Sequence, residues 1–559
     1  MKADIILKNV NYLDVKTRKF LKGNIAIKNG KIIDIDCEIE ADKEKDCTGK
    51  FLVPGFIDGH IHLESSVISP EDFAKIASKH GTIAVVTDPH EIANVCGIDG
   101  IKWMIEKTKK LPIDVYVMVS SCVPATPFDE SAYTLASKDV KKCFELDNTG
   151  RILGLAEMMN YPGVIQGDSE VLEKIKLTKE MGKRIDGHAP GLTGNDLVKY
   201  ISAGIESDHE CTNLEEAIEK LKVAKKLNQE FYIMIREGTA AKNLEALAEL
   251  MNIDKYKEYL MFATDDKHPE ELYRDGHIDA IIRKAISLGI KPEDAYTTAS
   301  YNAAKYFRLL DKYGSIETGK NADFVLLNDI IKCEIDEVYK SGELITEEVL
   351  KNWPLNIIDE SLEKKVRNSI HMEEVKPEDF SCKGKEKQVI GLVQGQITTV
   401  DAGKANDYDI ENDIIKLVVI EPHKGTMHTG IAYLKGLGLK EGAIGTTVAH
   451  DSHYMIIAGT NDSDIALVAN EIRQMGGGKI VVNKGKVLES LPLPIANLMT
   501  DENPLKVIDA MEKMKKATKI EKEGIDPFMT LSFTSLAVIG DIRLLPSGVF
   551  DVRKWSFVK

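Results

Sequence analysis

The sequence predicts a (β/α)8 barrel, with a small β layer built from both of its flanks and an additional α+β unit at the C-terminal side. Three observations predict it. Eight short apolar runs, each followed by a segment of helical spacing, fill the roughly 250 residues such a barrel needs. Strand-like alternation brackets that stretch on both sides. A further stretch of mixed strand and helix character begins near Gln388. The expected division is 1–50 for the first part of the β domain, 51–308 for the barrel and 309–350 for the second part. A linker over 351–387 and a C-terminal unit over 388–559 follow.

In chain order, "ADIILKNV" and "GNIAIKNGKIIDIDCEI" alternate apolar and polar residues, and Asn29-Gly30 marks a hairpin between two such runs. From Phe51 the runs are "FIDGHIH", "TIAVVTD", "DVYVMVSS", "ILGLAEM", "RIDGHA", "GIESDH", "FYIMIRE" and "LMFATDD". Helical patterns such as "PEDFAKIASKH" and "NLEEAIEKLKVAKKL" separate them. A doubly wound sheet would favour a glycine-rich phosphate loop after the first strand, and there is none. "GSIETGKNADFVLLND" and "EVYKSGELI" return to strand character and are expected to pair with the N-terminal layer. The charged stretch around 363–387 reads as a surface excursion. Beyond it, "KLVVIEPH", a helix near "DIALVANEIRQMGGG", and "KIVVNKGKVLE" with its hairpin signal at Asn483–Gly485 make the third unit. Lys513–Gly524 reads as a solvated helix face.

Composition narrows the function classes. Of the 559 residues, 43% are apolar and 29% charged, as in ordinary globular proteins. A net charge of -16 argues against nucleic acid or an anionic membrane as partner, and leaves a small neutral substrate open. The eight cysteines are scattered with no CxxC pair, which suits a reducing cytoplasm. No secretory signal and no membrane span are read.

In such a barrel the chemistry sits at the C-terminal ends of the strands. His60 and His62 end the first predicted strand, Glu157 the fourth, His188 the fifth, His209 the sixth and Asp265 the eighth. Residues i and i+2 of a strand point the same way, so the HxH pair aims both imidazoles at one place. A lone histidine is more often a core or cap residue than a ligand. Of thirteen histidines, however, four fall at these strand ends beside two carboxylates. Four imidazoles and two carboxylates suit a first-row divalent metal, with two ions bridged by Glu157 as the expectation.

"PGFIDGHIHLESS", the histidines after strands five and six, "TDD" after strand eight, and "GKNADFVLL" in the second flank resemble the amidohydrolase superfamily. Within it, "HIHLESS", "TDPHEIANV", "IREGTAAKNL", "FATDDKHP", "VVIEPHKGT" and "GTTVAHDSHYMIIAGTND" resemble the bacterial and archaeal adenine deaminases over nearly the whole chain. Two departures from other branches stand out. Glu157 occupies the place of a bridging carboxylated lysine. Gly191, in "HAPG", occupies the place where adenosine deaminases carry a proton-donating glutamate. The cytidine-deaminase zinc signature is absent.

The resemblance implies hydrolytic removal of the 6-amino group of adenine, a purine-salvage reaction giving hypoxanthine and ammonia. A metal-activated water serves as nucleophile, its pKa lowered from 15.7 towards about 7. It implies Mn or Fe ahead of Zn and a homodimer or higher homo-oligomer. Asp265 is expected to ligate metal and shuttle a proton, and Glu64 to protonate purine N1. His90 and Glu91 are expected to orient the purine or hold an additional ion. Glu64, Ser65, Ser66, Glu91, His450 and His453 are the expected substrate-binding set, with the 450–453 loop closing the barrel mouth. The alternative substrate for the same ligands is a cyclic amide or N-acyl group. A non-catalytic barrel is disfavoured, because all six ligand positions are occupied.

Overall fold

The structure, a computed structural model, describes residues 2–36, 39–239, 241–382, 384–394, 396, 398–521 and 526–558. Cys37 and residues 522–524 of the charged stretch considered above lie outside them. Both flanks meet in one sheet. The strand Phe51–Pro54 lies between Ala3–Asp14, its parallel neighbour, and Phe324–Asp329, its antiparallel neighbour. Lys19–Lys28 and Lys31–Ile35 extend the sheet on one side, and Glu334–Lys340 on the other. Alternation decides the faces: Leu7, Val10, Ile25, Leu52, Phe324 and Leu326 point into one buried apolar layer. Residues 51–54 therefore belong to this sheet rather than to the barrel. They read like the start of a barrel strand because an apolar run carries no sign of which sheet it joins.

Eight parallel strands then close on themselves. Phe56–Ile61, Thr82–Thr87, Asp114–Val119, Ile152–Met158 and Arg184–Gly187 form one parallel ladder. Ser207–Asp208, Tyr232–Arg236 and Leu260–Ala263 form another. Two sets of hydrogen bonds join the ladders. Glu206 N donates to Ile185 O at 2.9 Å, and Asp265 N donates to His60 O at 2.9 Å. The second junction is clasped by Asp58, which is fully buried. Its carboxylate accepts from the backbone N–H of His60 and of Thr264, each at 3.1 Å, and from the Thr264 hydroxyl. Such a carboxylate is stable only because these donors replace its lost water.

Between the strands run helices with clear start signals: Ser69 caps Pro70–Lys79, Asp168 caps Ser169–Glu180 and Asn213 caps Leu214–Lys226. The tight strand is Arg184–Gly187, where a Cβ on Gly187 would stand 2.3 Å from the Ser207 carbonyl oxygen. Only glycine lets the fifth and sixth strands approach so closely.

The C-terminal unit is an eight-stranded sheet carrying the helix Asp462–Met475 on one face. Its other face shares one continuous apolar body with the ring: Ile61, Leu63, Trp103 and Met104 pack in the same cluster as Leu417, Val419 and Tyr454. The segment expected as a linker is partly helical. Glu360–Arg367 lies on the helix His90–Lys107, with the Trp103 indole N–H donating to Glu363 at 2.7 Å. No helix among the described residues is long and apolar enough to cross a membrane.

Replacing Gly187 by alanine should force the fifth and sixth strands apart. We expect a stability loss of about 1–3 kcal/mol in urea unfolding, together with a lower content of bound metal. An unchanged unfolding midpoint and metal content would show that the close approach is not required.

Candidate metal centre and active-site cavity

Strand direction brings the six residues singled out from the sequence to one place. Glu157, from the fourth strand, is the hub. Its Oε2 is 2.8 Å from His188 Nδ1 and 3.1 Å from His209 Nε2, and its Oε1 is 3.4 Å from His62 Nε2. Asp265 Oδ1 stands 3.4 Å from the same His62 nitrogen. His60 and His209 stack face to face, 4.4 Å between ring centres. Two features fit a divalent metal. His62 Nδ1 donates to the Asp88 carbonyl at 3.0 Å, which leaves the Nε2 lone pair facing the two carboxylates. His60 Nε2 is buried and has no hydrogen-bond partner, a costly state that a bound cation relieves. Buried groups of three and four donors recur around these residues, and mixed imidazole and carboxylate donors are the chemistry of Mn, Fe and Zn sites.

The electrostatics follow from this crowding. Burial disfavours the charged forms, yet the histidines around Glu157 hold its carboxyl well below its usual range. Asp265 is likewise held low against burial, first by the Arg236 guanidinium beside it and then by His62. Burial and the neighbouring His209 push His60 well below the usual imidazole range, so it presents a neutral ring. Behind His188 and His209 sits Lys220, fully buried. Its ammonium binds the Asp208 carboxylate, Glu216 Oε1 at 2.7 Å and the Ala189 carbonyl at 2.8 Å. This knot fixes the residue that follows His188 and the one that precedes His209.

Above the cluster opens a cavity of about 90 Å3 that is open to solvent at its mouth. His90, Glu91, His450 and Asp451 line it beside the cluster. Glu91, at the start of the helix His90–Lys107, reaches the C-terminal unit: its Oε1 is 2.6 Å from His450 Nδ1, and its Oε2 binds His453 Nε2. His453 is buried behind Glu91 and is not part of the lining. The His450 ring stacks on Phe533, 4.8 Å between centres and 16° from parallel. Met159, Leu536, Val538 and Ile539 complete an apolar wall.

Glu64, Ser65 and Ser66, expected to touch substrate, do not line this cavity. The chain after His62 turns at once through the short helix Leu63–Ser66. That turn sends the Glu64 carboxylate to the N-terminus of the helix His90–Lys107, where Oε1 accepts from Ile92 N at 3.2 Å, and burial pushes it up to about 7. Ser66 donates to the Leu63 carbonyl. Ser65 donates to Asp266, a residue of the lining. Residue-type reasoning did not single out Asp88, Glu210 and Arg236. Arg236 binds Asp265 and donates to Glu210 at 2.8 Å. Glu210 directly follows a strand-end histidine, and Arg236 ends the seventh strand, so position was the available signal. The wall from Phe533 to Ile539 carried none.

These features define a metal-dependent hydrolase, and residues 51–345 match the amidohydrolase family. Residues 393–556 match the adenine deaminase C-terminal domain. A curated adenine deaminase of Clostridium acetobutylicum is 40% identical, over 100% of this chain and 97% of its own length. Adenine deaminase 2 of Carboxydothermus hydrogenoformans is 40% identical over 100% and 96%, and an adenine deaminase of Geobacillus kaustophilus 38% identical over 100% and 96%. The chain belongs to the amidohydrolase family and, within it, to the adenine deaminases.

Lys220→Ala should strand the buried Asp208 and Glu216 charges and cost about 3–5 kcal/mol in urea unfolding. A loss below about 1 kcal/mol would mean that water enters and replaces the ammonium.

Proposed function

We propose that this chain hydrolyses adenine to hypoxanthine and ammonia, and that its eight-stranded ring is a (β/α)8 metallo-hydrolase barrel. The single observation that carries the reading is the junction of two features: a carboxylate-centred imidazole cluster opens into a cavity whose far wall comes from the C-terminal unit. The division we adopt is a composite β domain from residues 1–54 and 309–350, a barrel from 55 to 308, and a C-terminal domain from 388 onward.

His60, His62, Glu157, His188, His209 and Asp265 would hold two divalent ions, Mn or Fe ahead of Zn. When bound, such ions lower the pKa of water so that it attacks C6 at neutral pH. Asp265 accepts the water's proton on its carboxylate and delivers it to the departing amino nitrogen, so that ammonia leaves neutral. The stacked His450 and Phe533 rings and the apolar wall hold the purine plane and keep bulk water away. The N1 contact passes from Glu64 to a carboxyl on the cavity wall, with Asp266, steadied by Ser65, the candidate. His90 and Glu91 set the position of the His450 side of the pocket. A homo-oligomer in the cytoplasm completes the proposal.

Asp265→Asn should keep the fold and lower kcat by about 10²–10⁴-fold, read from the change in adenine absorbance and from released ammonia. Turnover close to the unaltered rate would remove Asp265 from the proton path. Exhaustive chelation should abolish turnover, and Mn2+ or Fe2+ should restore it. A fully metallated chain that leaves adenine untouched while cleaving a cyclic amide or N-acyl compound would overturn the substrate assignment. Ending the chain near Lys385 should abolish adenine turnover, whereas a folded truncation with full activity would show that the C-terminal wall is dispensable.

A further inference from the structure

The cluster around Glu157 does not absorb all the ligand-type groups of the cavity. His90, Glu91 and Asp451 form a second buried group, on the opposite side of the His90 ring. His90 Nδ1 is 3.0 Å from Asp88 Oδ2, and Asp88 is itself fixed by the Ser120 hydroxyl at 3.0 Å. A carboxylate that accepts a hydrogen bond from Nδ1–H leaves Nε2 with its lone pair, the usual arrangement behind a metal-binding histidine. That Nε2 faces Glu91 Oε1 at 3.5 Å and Asp451 Oδ1 at 3.9 Å.

Glu91 is prepared in the same way. His453 Nδ1 accepts from the Ala449 N–H at 3.2 Å, so its proton lies on Nε2 and is donated to Glu91 Oε2. Glu91 Oε1 is thereby turned towards His90, with His450 Nδ1 2.6 Å away as a fourth donor. The decisive feature is Asp451, whose Oδ2 is buried without any hydrogen-bond partner. A buried carboxylate oxygen left bare is expensive unless a cation meets it.

We propose that His90 Nε2, Glu91 Oε1 and the Asp451 carboxylate hold a further divalent cation, with His450 as an optional fourth ligand. The separations between these donors are those of atoms sharing one ion at about 2.0–2.2 Å each. One imidazole with two carboxylates suits Mn2+, Fe2+ or Zn2+ rather than a thiol-seeking metal. Two of the ligands belong to the ring and one to the C-terminal unit. The ion therefore staples the 450–453 loop over the cavity and fixes His450 against the purine plane. The site rests on the reading of the neighbouring cluster as a metal centre only in that both sets of ions are counted together.

The experiment counts Mn2+ bound per chain by elemental analysis of metal-stripped protein that has been reloaded and desalted. It compares the unaltered chain with Asp451→Ala, Glu91→Gln and His188→Ala, each checked for native circular dichroism. Asp451→Ala and Glu91→Gln should each hold one ion fewer than the unaltered chain. His188→Ala should lose ions from the Glu157 side and retain the one described here, seen as an additional loss in His188→Ala combined with Asp451→Ala. Asp451→Asn, which preserves shape, serves if the alanine variant does not fold. Equal counts for the unaltered chain, Asp451→Ala (or Asp451→Asn) and Glu91→Gln overturn the proposal and leave the two-ion centre standing. A chain that binds no ion at all overturns both.

Discussion

The Glu157 carboxylate is the point on which the rest of the structure depends. Histidines from the first, fifth and sixth strands, together with His90 from the start of a helix, converge on its two oxygens. None of these strands is a neighbour of the fourth except the fifth, so convergence demands a closed ring. Closure in turn rests on the His60–Asp265 backbone bond and the Asp58 clasp beneath it. The polar groups that bring the cluster together are thus also those that would be costly to bury unpaired. Stability and site geometry are set by the same few contacts.

Much of this was legible in the sequence, for physical reasons. Strand periodicity puts i and i+2 on one side, so His60 and His62 announce a shared target. Strand ends are marked by the switch from apolar to polar residues, and that switch located Glu157, His188, His209 and Asp265. What spacing does not encode is the direction of a loop. Glu64 follows the HxH pair immediately, yet a turn of short helix carries it away from the cavity, and nothing in "HLESS" distinguishes the two outcomes. Phe51–Pro54 was hidden differently: its apolar run fits either sheet, and only the pairing of Phe324 with Pro54 decides. Arg236 and Glu210 are residue types found at most surfaces, so only their position at strand ends, and not their type, pointed to the site.

The C-terminal unit builds one wall of the cavity. The ring supplies the imidazole and carboxylate cluster, and the wall of Phe533, Leu536, Val538 and Ile539 comes from the far end of the sequence. A shared apolar body holds the two parts together, so the wall is fixed by core packing rather than by surface contacts. Glu91 adds direction to that adhesion, because its two oxygens bind two histidines of the 450–453 loop and so fix the loop's register on the ring.

Arg236 pairs directly with Asp265 inside the site. In the proton path we propose, Asp265 takes a proton from water and surrenders it to an amine, so it has to be a weak base. A buried carboxylate alone would tend the other way, since burial raises its proton affinity. The guanidinium reverses that tendency and holds the Asp265 carboxyl well below its usual range. In that path a proton placed on Asp265 is held loosely and passes readily to the leaving nitrogen. Because Arg236 also binds Glu210, the guanidinium is fixed in place and cannot follow Asp265 if that side chain moves. The same contact that destabilises the protonated acid thus keeps its other oxygen pointed at His62 and the Glu157 cluster.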